Sequence, residues 1–553
     1  MQGNVPTEYL PDESEPDIFH ALPELHYPEQ LNAAYEMVDR HVDEGRGDKP
    51  AIIFEGETIT YSELQSQVNK VANALLEIGV EPGDRVFVRF PNRPEYVVSC
   101  LATQKLGAVT VPSMKLLRAK EIGYVVNNAE AKIAIVYDEL LDEVDKAREE
   151  HGLDTLEQII VVEETGVTHD HHSLDALVAD ADDELPQPKT HRDDLIMIAY
   201  TSGTTGRPKG TVHTHRQMMA ICDGYAQYCL DVREDDVFTS NAPIAFTYGY
   251  GLLVAFPLRF GATTCIIEDP TPEKLLDAVM DHDVSVLGSI PTAYNQMFSE
   301  HADLIESYDL DSLRCCVSAG EPLPPKTFEQ VRDHFDVRPM DGIGSTEMLH
   351  IFISHRIDDD EIDPTATGKP VPGYECKVVD PDTYEELPRG EPGLLLVRGP
   401  TGVTYWNRPE KQREVVIDGW SHPGDMYIHR EDDRFEYVSR SDDLIITGGH
   451  NVPGPEVEDV LLEREEVYQA AVVGSPNDER GQIVKAFIIL NDGYEPSDGL
   501  TGELQEFVKH EIAPYKYPRE IEYVDDLPTT ETGKIQRRKL REREKERKLG
   551  TTS

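Results

Sequence analysis

Tyr200-Thr201-Ser202-Gly203-Thr204-Thr205-Gly206-Arg207-Pro208-Lys209-Gly210 is the stretch from which the chain reads outward. Its eleven residues hold three glycines, four aliphatic hydroxyls and two cations, directly after the apolar run 195–200, which reads as a buried strand. Glycines let backbone N–H groups approach an anion closely, hydroxyls add short donors, and Arg207 and Lys209 add charge. The expectation is a polyphosphate cradle formed by Thr201, Ser202, Gly203, Thr204, Thr205, Gly206 and Lys209. The spacing departs from G-x-x-x-x-G-K-[ST], because Lys209 follows Gly206 by three residues and Gly210 stands where Ser or Thr is required. The plainer alternative, a flexible surface loop, fits less well so abruptly after a buried strand.

The run T-S-G-T-T-G-x-P-K-G resembles the phosphate loop of the acyl- and aryl-adenylate-forming ligases, the AMP-dependent synthetase superfamily of acyl-CoA synthetases, peptide-synthetase adenylation domains and luciferases. The resemblance implies ATP, Mg²⁺ and coenzyme A as the small molecules used, with a small-molecule carboxylic acid as substrate.

Composition sets the outer limits. The 553 residues, 39% of them hydrophobic, allow roughly three domain-sized units and a sizeable core. Net charge is −53, from 105 acidic against 52 basic residues, which argues against nucleic acid or an anionic membrane as partner. The acid is spread along the chain, in runs such as Asp182-Asp183-Glu184 and Asp358 to Glu361, and suggests a halophilic, salt-screened surface. Seven cysteines include no C-x-x-C pair, so they read as core residues. Met1 to Ile18 is acidic and lacks an apolar signal core, and no apolar run reaches membrane-spanning length, so a cytoplasmic protein is expected. Oligomeric state is not legible.

Residues 1 to 30 are rich in Pro and Glu and are expected to wrap the surface. From Ala51 the pattern alternates strand and helix. Thr60-Tyr61-Ser62-Glu63 is a capping box, and Leu64, Val68, Val71 and Leu75 repeat at helical spacing until Gly79. Strands are expected at 85–88, 108–111 and 131–137, with a helix from Pro94 to Leu106. These are βα units of a mostly parallel sheet. No G-x-G-x-x-G follows any strand, which excludes the usual dinucleotide site. Thr214 reads as an N-cap. Strands at 284–289 and 313–318 follow, the second ending in Ser318-Ala319-Gly320-Glu321-Pro322, at the carboxyl edge where open sheets bind ligands. From about Val371 shorter β segments with Gly-Pro turns suggest a small barrel-like subdomain, and 443–553 reads as a small α/β unit ending in a solvated helix, 536–548.

Several further motifs appear in the superfamily's order. Asp341-Gly342-Ile343-Gly344-Ser345-Thr346-Glu347 is a Gly-rich turn in which a carboxylate follows a hydroxyl, suited to Mg²⁺ and phosphate. It matches aromatic-G-x-T-E except that Ile343 replaces the aromatic residue, a version similar to benzoate and 2-aminobenzoate CoA ligases. The resemblance makes Gly320, Glu321, Pro322 and residues 341–346 nucleotide contacts and Glu347 the metal carboxylate. Asp425 is expected to accept the ribose hydroxyls and Arg440 to touch ribose or phosphate, with Ser439 standing where Gly is usual. Phe246, Thr247, Tyr248 and Gly249 read either as a core corner or, by resemblance, as the acyl-pocket wall with His350 and Ile351. His350 reads equally as a donor to a ring substituent or as a packed core histidine.

Pro528-Thr529-Thr530-Glu531-Thr532-Gly533-Lys534 resembles the superfamily's catalytic-lysine loop. With it Thr346, Glu347, hinge residue Asp442 and Gly449 are the implied catalytic set. The expected organisation is an adenylation domain, 1–441, and a mobile C-terminal domain, 442–553. The implied reaction joins the acid to AMP with loss of pyrophosphate and then passes the acyl group to CoA. Benzoate or 2-aminobenzoate is the favoured acid. A short or branched aliphatic acid, or delivery to a carrier-protein thiol, remains open.

Overall fold

The computed structural model describes the chain except residues 1–3, 6, 12, 164–168, 187–188, 202–207, 306, 442, 448–449, 478–480, 531–534 and 550–553. Of the site residues expected from sequence, Ser202, Gly203, Thr204, Thr205, Gly206, Asp442, Gly449 and Lys534 lie outside the described residues.

Two large sheets carry the N-terminal part. In the seven-stranded sheet the spatial order is His172–Ser173, Gln158–Val162, Ile133–Tyr137, Arg85–Arg89, Val109–Ser113, Leu195–Thr201 and Lys209–Thr214. Neighbours run parallel, except that the last strand returns antiparallel to its predecessor. The nine-stranded sheet has a parallel centre, with Val237–Ser240, Val286–Ser289, Cys315–Ala319 and Pro339–Gly344 side by side, and antiparallel strands at both margins. The expected strand positions are met to within a few residues, and capping boxes form at Thr60 with Glu63 and at Thr214 with Gln217. A cap of this kind satisfies two otherwise orphaned N–H donors.

Helix Pro94–Lys105 packs on strands Arg85–Arg89 and Val109–Ser113 and on helices Ala33–Met37 and Tyr61–Glu77, and its buried residues lie all round the axis. One apolar core joins Val88 and Ile135 of one sheet and Phe238, Val286 and Val317 of the other with Leu101 of this helix. Its last residue, Lys105, is buried with its ammonium 2.6 Å from both Asp39 Oδ1 and Asn69 Oδ1, the pairing a buried charge requires. All seven cysteines are free thiols.

The barrel-like region is a six-stranded antiparallel sheet that includes Glu375–Val379, Pro392–Arg398, Asp425–His429 and Phe435–Arg440. The N-terminal segment wraps the surface as expected: Asp17 N–H donates to Gly419 and Tyr9 stacks on Trp406 with ring centroids 4.6 Å apart.

The C-terminal part is a three-stranded sheet, Val467–Asn477, Gly481–Leu490 and Glu520–Tyr523, flanked by helices Gly454–Leu462, Asp498–Glu511 and Arg537–Leu549. The last helix is largely solvated, as expected, but one side of it packs on strand Val467–Asn477. Its Leu540 and Glu544 are buried, and Glu544 accepts from Lys485 Nζ at 2.8 Å and Ser475 Oγ at 2.8 Å. The charges that made this helix look solvated include one that neutralises an equally buried lysine.

Candidate active site

The carboxyl edge of the parallel strands positions the site. Ser289, Ser318 and Asp341 are register neighbours across three of them, and Ala319 aligns with Gly342. Residues 343–347 then run half-buried along this edge, followed by fully buried Met348, Leu349 and His350. Gly344 has no room for a side chain, since a Cβ would lie 2.7 Å from the His350 carbonyl. Met348 N–H donates to Ser345 Oγ at 3.2 Å and so tightens the turn that presents Thr346 and Glu347.

The two strands that flank the phosphate stretch pair antiparallel. Thr201 pairs with Lys209 and Tyr200 with Gly210, which brings the two ends of the glycine-rich segment together. Sequence reasoning found the outgoing strand and not the return strand, Lys209–Thr214, whose Thr211 and His213 are buried polar residues without the expected alternation. Thr211 Oγ1 donates to the Ala199 carbonyl at 3.1 Å and to the Thr346 carbonyl at 3.4 Å, tying the hairpin to the Thr346-Glu347 turn.

Lys209 and Glu347 meet on a residue absent from the sequence reading. Tyr405 donates its hydroxyl to Glu347 Oε1 at 2.9 Å, and Lys209 Nζ lies 5.5 Å from the centroid of its ring. Burial lowers the Lys209 pKa, which the Glu347 charge raises and the Arg440 charge lowers further. No spacing signal announces Tyr405, because it reaches the hairpin through long-range pairing of its backbone with Thr211.

Asp425 and Arg440 are register partners on adjacent strands, and Arg440 Nη1 lies 3.1 Å from both Asp425 oxygens. Tyr427, on the Asp425 strand, has its pKa driven up by burial and then by the charges of Asp425 and Asp341. Asp341 is half-buried, and Oδ1 has no partner among the described residues. Burial pushes its carboxyl up to about 8, against an opposing hydrogen bond from the Gly342 N–H. Gly320 follows strand Cys315–Ala319 with φ +92, a left-handed turn that suits glycine, and Glu321 Oε2 accepts from Thr292 Oγ1 at 2.8 Å.

The aromatic corner is a rigid wall. Phe246 is the N-cap of the turn Thr247–Tyr250, and a Cβ on Gly249 would lie 2.1 Å from the Pro243 carbonyl oxygen. Tyr248 donates to the Ser289 carbonyl at 3.0 Å, with Val317 O at 3.3 Å, so its ring is fixed to both strands. His350 is 2% exposed, ringed by Tyr225, Tyr248 and Phe256, and its Nε2 lies 3.4 Å from the Tyr248 carbonyl. Burial pulls its pKa down to about 3, which keeps the imidazole neutral. Ile351 is buried on the neighbouring strand beneath Gly342, where a Cβ would meet it at 2.8 Å.

The chain is similar to known proteins along most of its length. Benzoate–CoA ligase of Thauera aromatica is 38% identical over 522 residues, 94% of this chain and 97% of that protein. An acetyl-coenzyme A synthetase of Bacillus subtilis is 34% identical over 533 residues, 93% of this chain and 90% of that protein. The solved structure of the anthranilate CoA ligase AuaEII in complex with anthranoyl-AMP has a TM-score of 0.90 and 33% identity, covering 96% of this chain and all of that one (100%). Fold, site and relatives together define an AMP-forming acid–thiol ligase. The chain belongs to the AMP-binding enzyme family, which it matches over residues 38–406, and residues 456–534 match the AMP-binding enzyme C-terminal domain. Ligases of this kind use a carboxylic acid, ATP and CoA.

Proposed function

We propose that the protein activates an aromatic carboxylic acid, benzoate or a 2-aminobenzoate-like acid, as its acyl-adenylate and transfers the acyl group to CoA. The observation that carries the aryl preference is the fixed wall of Tyr248 against His350, with ring centroids 5.7 Å apart and the phenol anchored on the carbonyls of Ser289 and Val317. A preorganised aromatic wall suits a flat acid and costs little ordering entropy on binding. The benzoate and anthranilate specificities of the relatives support the same choice.

In the first half-reaction the substrate carboxylate attacks the α-phosphorus of ATP and pyrophosphate leaves. Both reactants are anions, so the protein's task is charge neutralisation and alignment. Lys209 at the hairpin base and Lys534 in the C-terminal loop supply cations, while Asp425 and Arg440 hold the ribose side and Asp341 to Ser345 border the base and sugar. Magnesium favours one or two carboxylates together with substrate phosphates. Among the described residues no cluster of three or more His, Cys, Asp or Glu side chains competes for it, and the half-buried Glu347 fits that role. The ion would add positive charge where the two anions approach. In the second half-reaction the CoA thiolate attacks the acyl carbon and AMP leaves. We assign the C-terminal unit, 442–553, the alternation between the two halves, with Asp442 as pivot and Gly449 on the loop serving the thioester step.

No helix among the described residues is long and apolar enough to cross a membrane. We place the enzyme in a salt-rich cytoplasm, a setting that matches its net charge of −53.

Pyrophosphate exchange across benzoate, 2-aminobenzoate, acetate and branched aliphatic acids, followed by thioester formation with free CoA, tests the proposal. Fastest exchange with an aryl acid and a CoA thioester product are expected. Exchange driven only by aliphatic acids, or product formed only on a carrier protein, would overturn it.

A further inference from the structure

Tyr405 is 2% exposed, and both its backbone and its side chain reach into the site. Residues 404–406 lie alongside the return strand of the phosphate hairpin. Val212 N–H donates to the Thr404 carbonyl at 3.0 Å, Thr211 and Tyr405 form an antiparallel bridge, and Trp406 N–H donates to the Gly210 carbonyl at 2.9 Å. From the other side Gln412 Oε1 accepts from Tyr405 N–H at 2.9 Å, while Gln412 Nε2 donates to the Val403 carbonyl at 2.8 Å. The backbone of Tyr405 is therefore fixed relative to Lys209, two residues before Thr211.

The side chain then meets two opposite charges. Its hydroxyl donates to Glu347 Oε1 at 2.9 Å, and its ring lies beneath Lys209 Nζ, 5.5 Å from the centroid. Lys209 and Glu347 form no ion pair with each other. An ammonium and a carboxylate so close to one residue would gain by collapsing together in a partly desolvated crevice. Once paired, they would offer little charge to an incoming triphosphate. The phenol occupies one carboxylate oxygen with a neutral donor, and the ring face gives the ammonium a weak, non-ionic seat.

We infer that Tyr405 is a positioning residue that keeps Glu347 and Lys209 apart and aimed at the nucleotide, so that the carboxylate remains available to a divalent cation and the ammonium to phosphate. The inference rests on the reading of Glu347 as the metal carboxylate and Lys209 as a phosphate contact. Without the hydroxyl, the carboxylate is free to turn onto Lys209, and both partners are lost to the substrate at once.

The test measures binding of a non-hydrolysable α,β-methylene ATP by calorimetry, with and without Mg²⁺, and takes the ratio of the two dissociation constants as the metal-dependent part of affinity. In Tyr405→Phe this ratio is expected to shrink by about 10- to 100-fold, the usual effect of removing a hydrogen-bond partner from a metal-binding side chain. Tyr374→Phe is the control for loss of a buried phenol. Its hydroxyl pairs with Thr401 Oγ1 at 2.7 Å, and the ratio should stay at the wild-type value. Glu347→Gln is expected to abolish the ratio. A wild-type ratio in Tyr405→Phe alongside an abolished ratio in Glu347→Gln would overturn the inference alone. A wild-type ratio in Glu347→Gln would overturn the reading of Glu347 on which it rests.

Discussion

Arg440 directs a single nitrogen, Nη1, at both oxygens of Asp425, 3.1 Å from each, and the same nitrogen donates to the Pro423 carbonyl at 2.9 Å. Between them Gly424 adopts φ +86, and a Cβ there would lie 2.9 Å from the guanidinium. The carboxylate thus stands buried and oriented before any nucleotide arrives, with Arg440 itself half in solvent. Arg440→Met should raise the KM for ATP about tenfold, on the scale of one hydrogen bond to a charged group, and leave the KM for the acid nearly unchanged. Steady-state kinetics with each substrate varied in turn checks this, and an equal rise in both constants would contradict the assignment.

Lys534 and Asp442 lie outside the described residues, and their roles are proposed from the motifs that contain them. Lys534→Ala should lose pyrophosphate exchange by several orders of magnitude yet still form thioester from supplied acyl-adenylate. Asp442→Pro should retain exchange and lose thioester formation, because proline fixes φ at the pivot. The two half-reactions assayed separately on the two variants decide the matter. Normal exchange by Lys534→Ala would remove the lysine from the first step.

Asp341 gives the fold a characteristic pH response. Its folded-state pKa, raised to about 8 by burial, lies above the ordinary value of 3.8. Between these values the folded protein retains a proton that the unfolded chain has released. Stability from this group is therefore full below about pH 4, declines as pH rises, and is lost by about pH 8. Asp341→Asn lacks this dependence. The difference in Tm between wild type and Asp341→Asn should grow in the variant's favour from pH 5 to pH 8 and then level off. A constant difference over that range would mean that the carboxyl is already ionised at pH 5.

The acidic surface leads to a salt prediction. With a net charge of −53, like-charge repulsion is strong in dilute buffer and is screened within about 3 Å at 1 M salt. Activity and Tm should both rise between 0.1 and 2 M KCl, to order of magnitude following the shrinking Debye length. Full activity in salt-free buffer would contradict a halophilic surface.

Much of this architecture was legible in the sequence because local signals and tertiary packing agree. Thr60 reads with Glu63 as a capping box and Thr214 as an N-cap, and both form, the second completed as a box by Gln217. The apolar run after Asp194 becomes strand Leu195–Thr201, and the predicted Gly turn after Ala319 opens at the sheet edge. What escaped notice depends on contacts between distant segments. Lys209–Thr214 does not alternate because both its faces are covered, and the Thr211 hydroxyl finds carbonyls on other segments of the chain. Helix Arg537–Leu549 looks fully hydrated until Glu544 is seen against Lys485. His350 could be read two ways from sequence, and its surroundings make it a neutral ring closely packed among Tyr225, Tyr248 and Phe256.

The segment lying along the phosphate hairpin has a further effect on the protein's behaviour in concentrated solution. Strand Lys209–Thr214 ends its sheet, and the bare margin of a sheet is a template for a second copy of the same chain. Here Thr404 and Trp406 take up its Val212 N–H and Gly210 carbonyl, so the margin offers fewer open bonds to a stranger. At high salt, where charge repulsion between molecules is weakest, such cover limits self-association, and here it comes from residues that also border the candidate site.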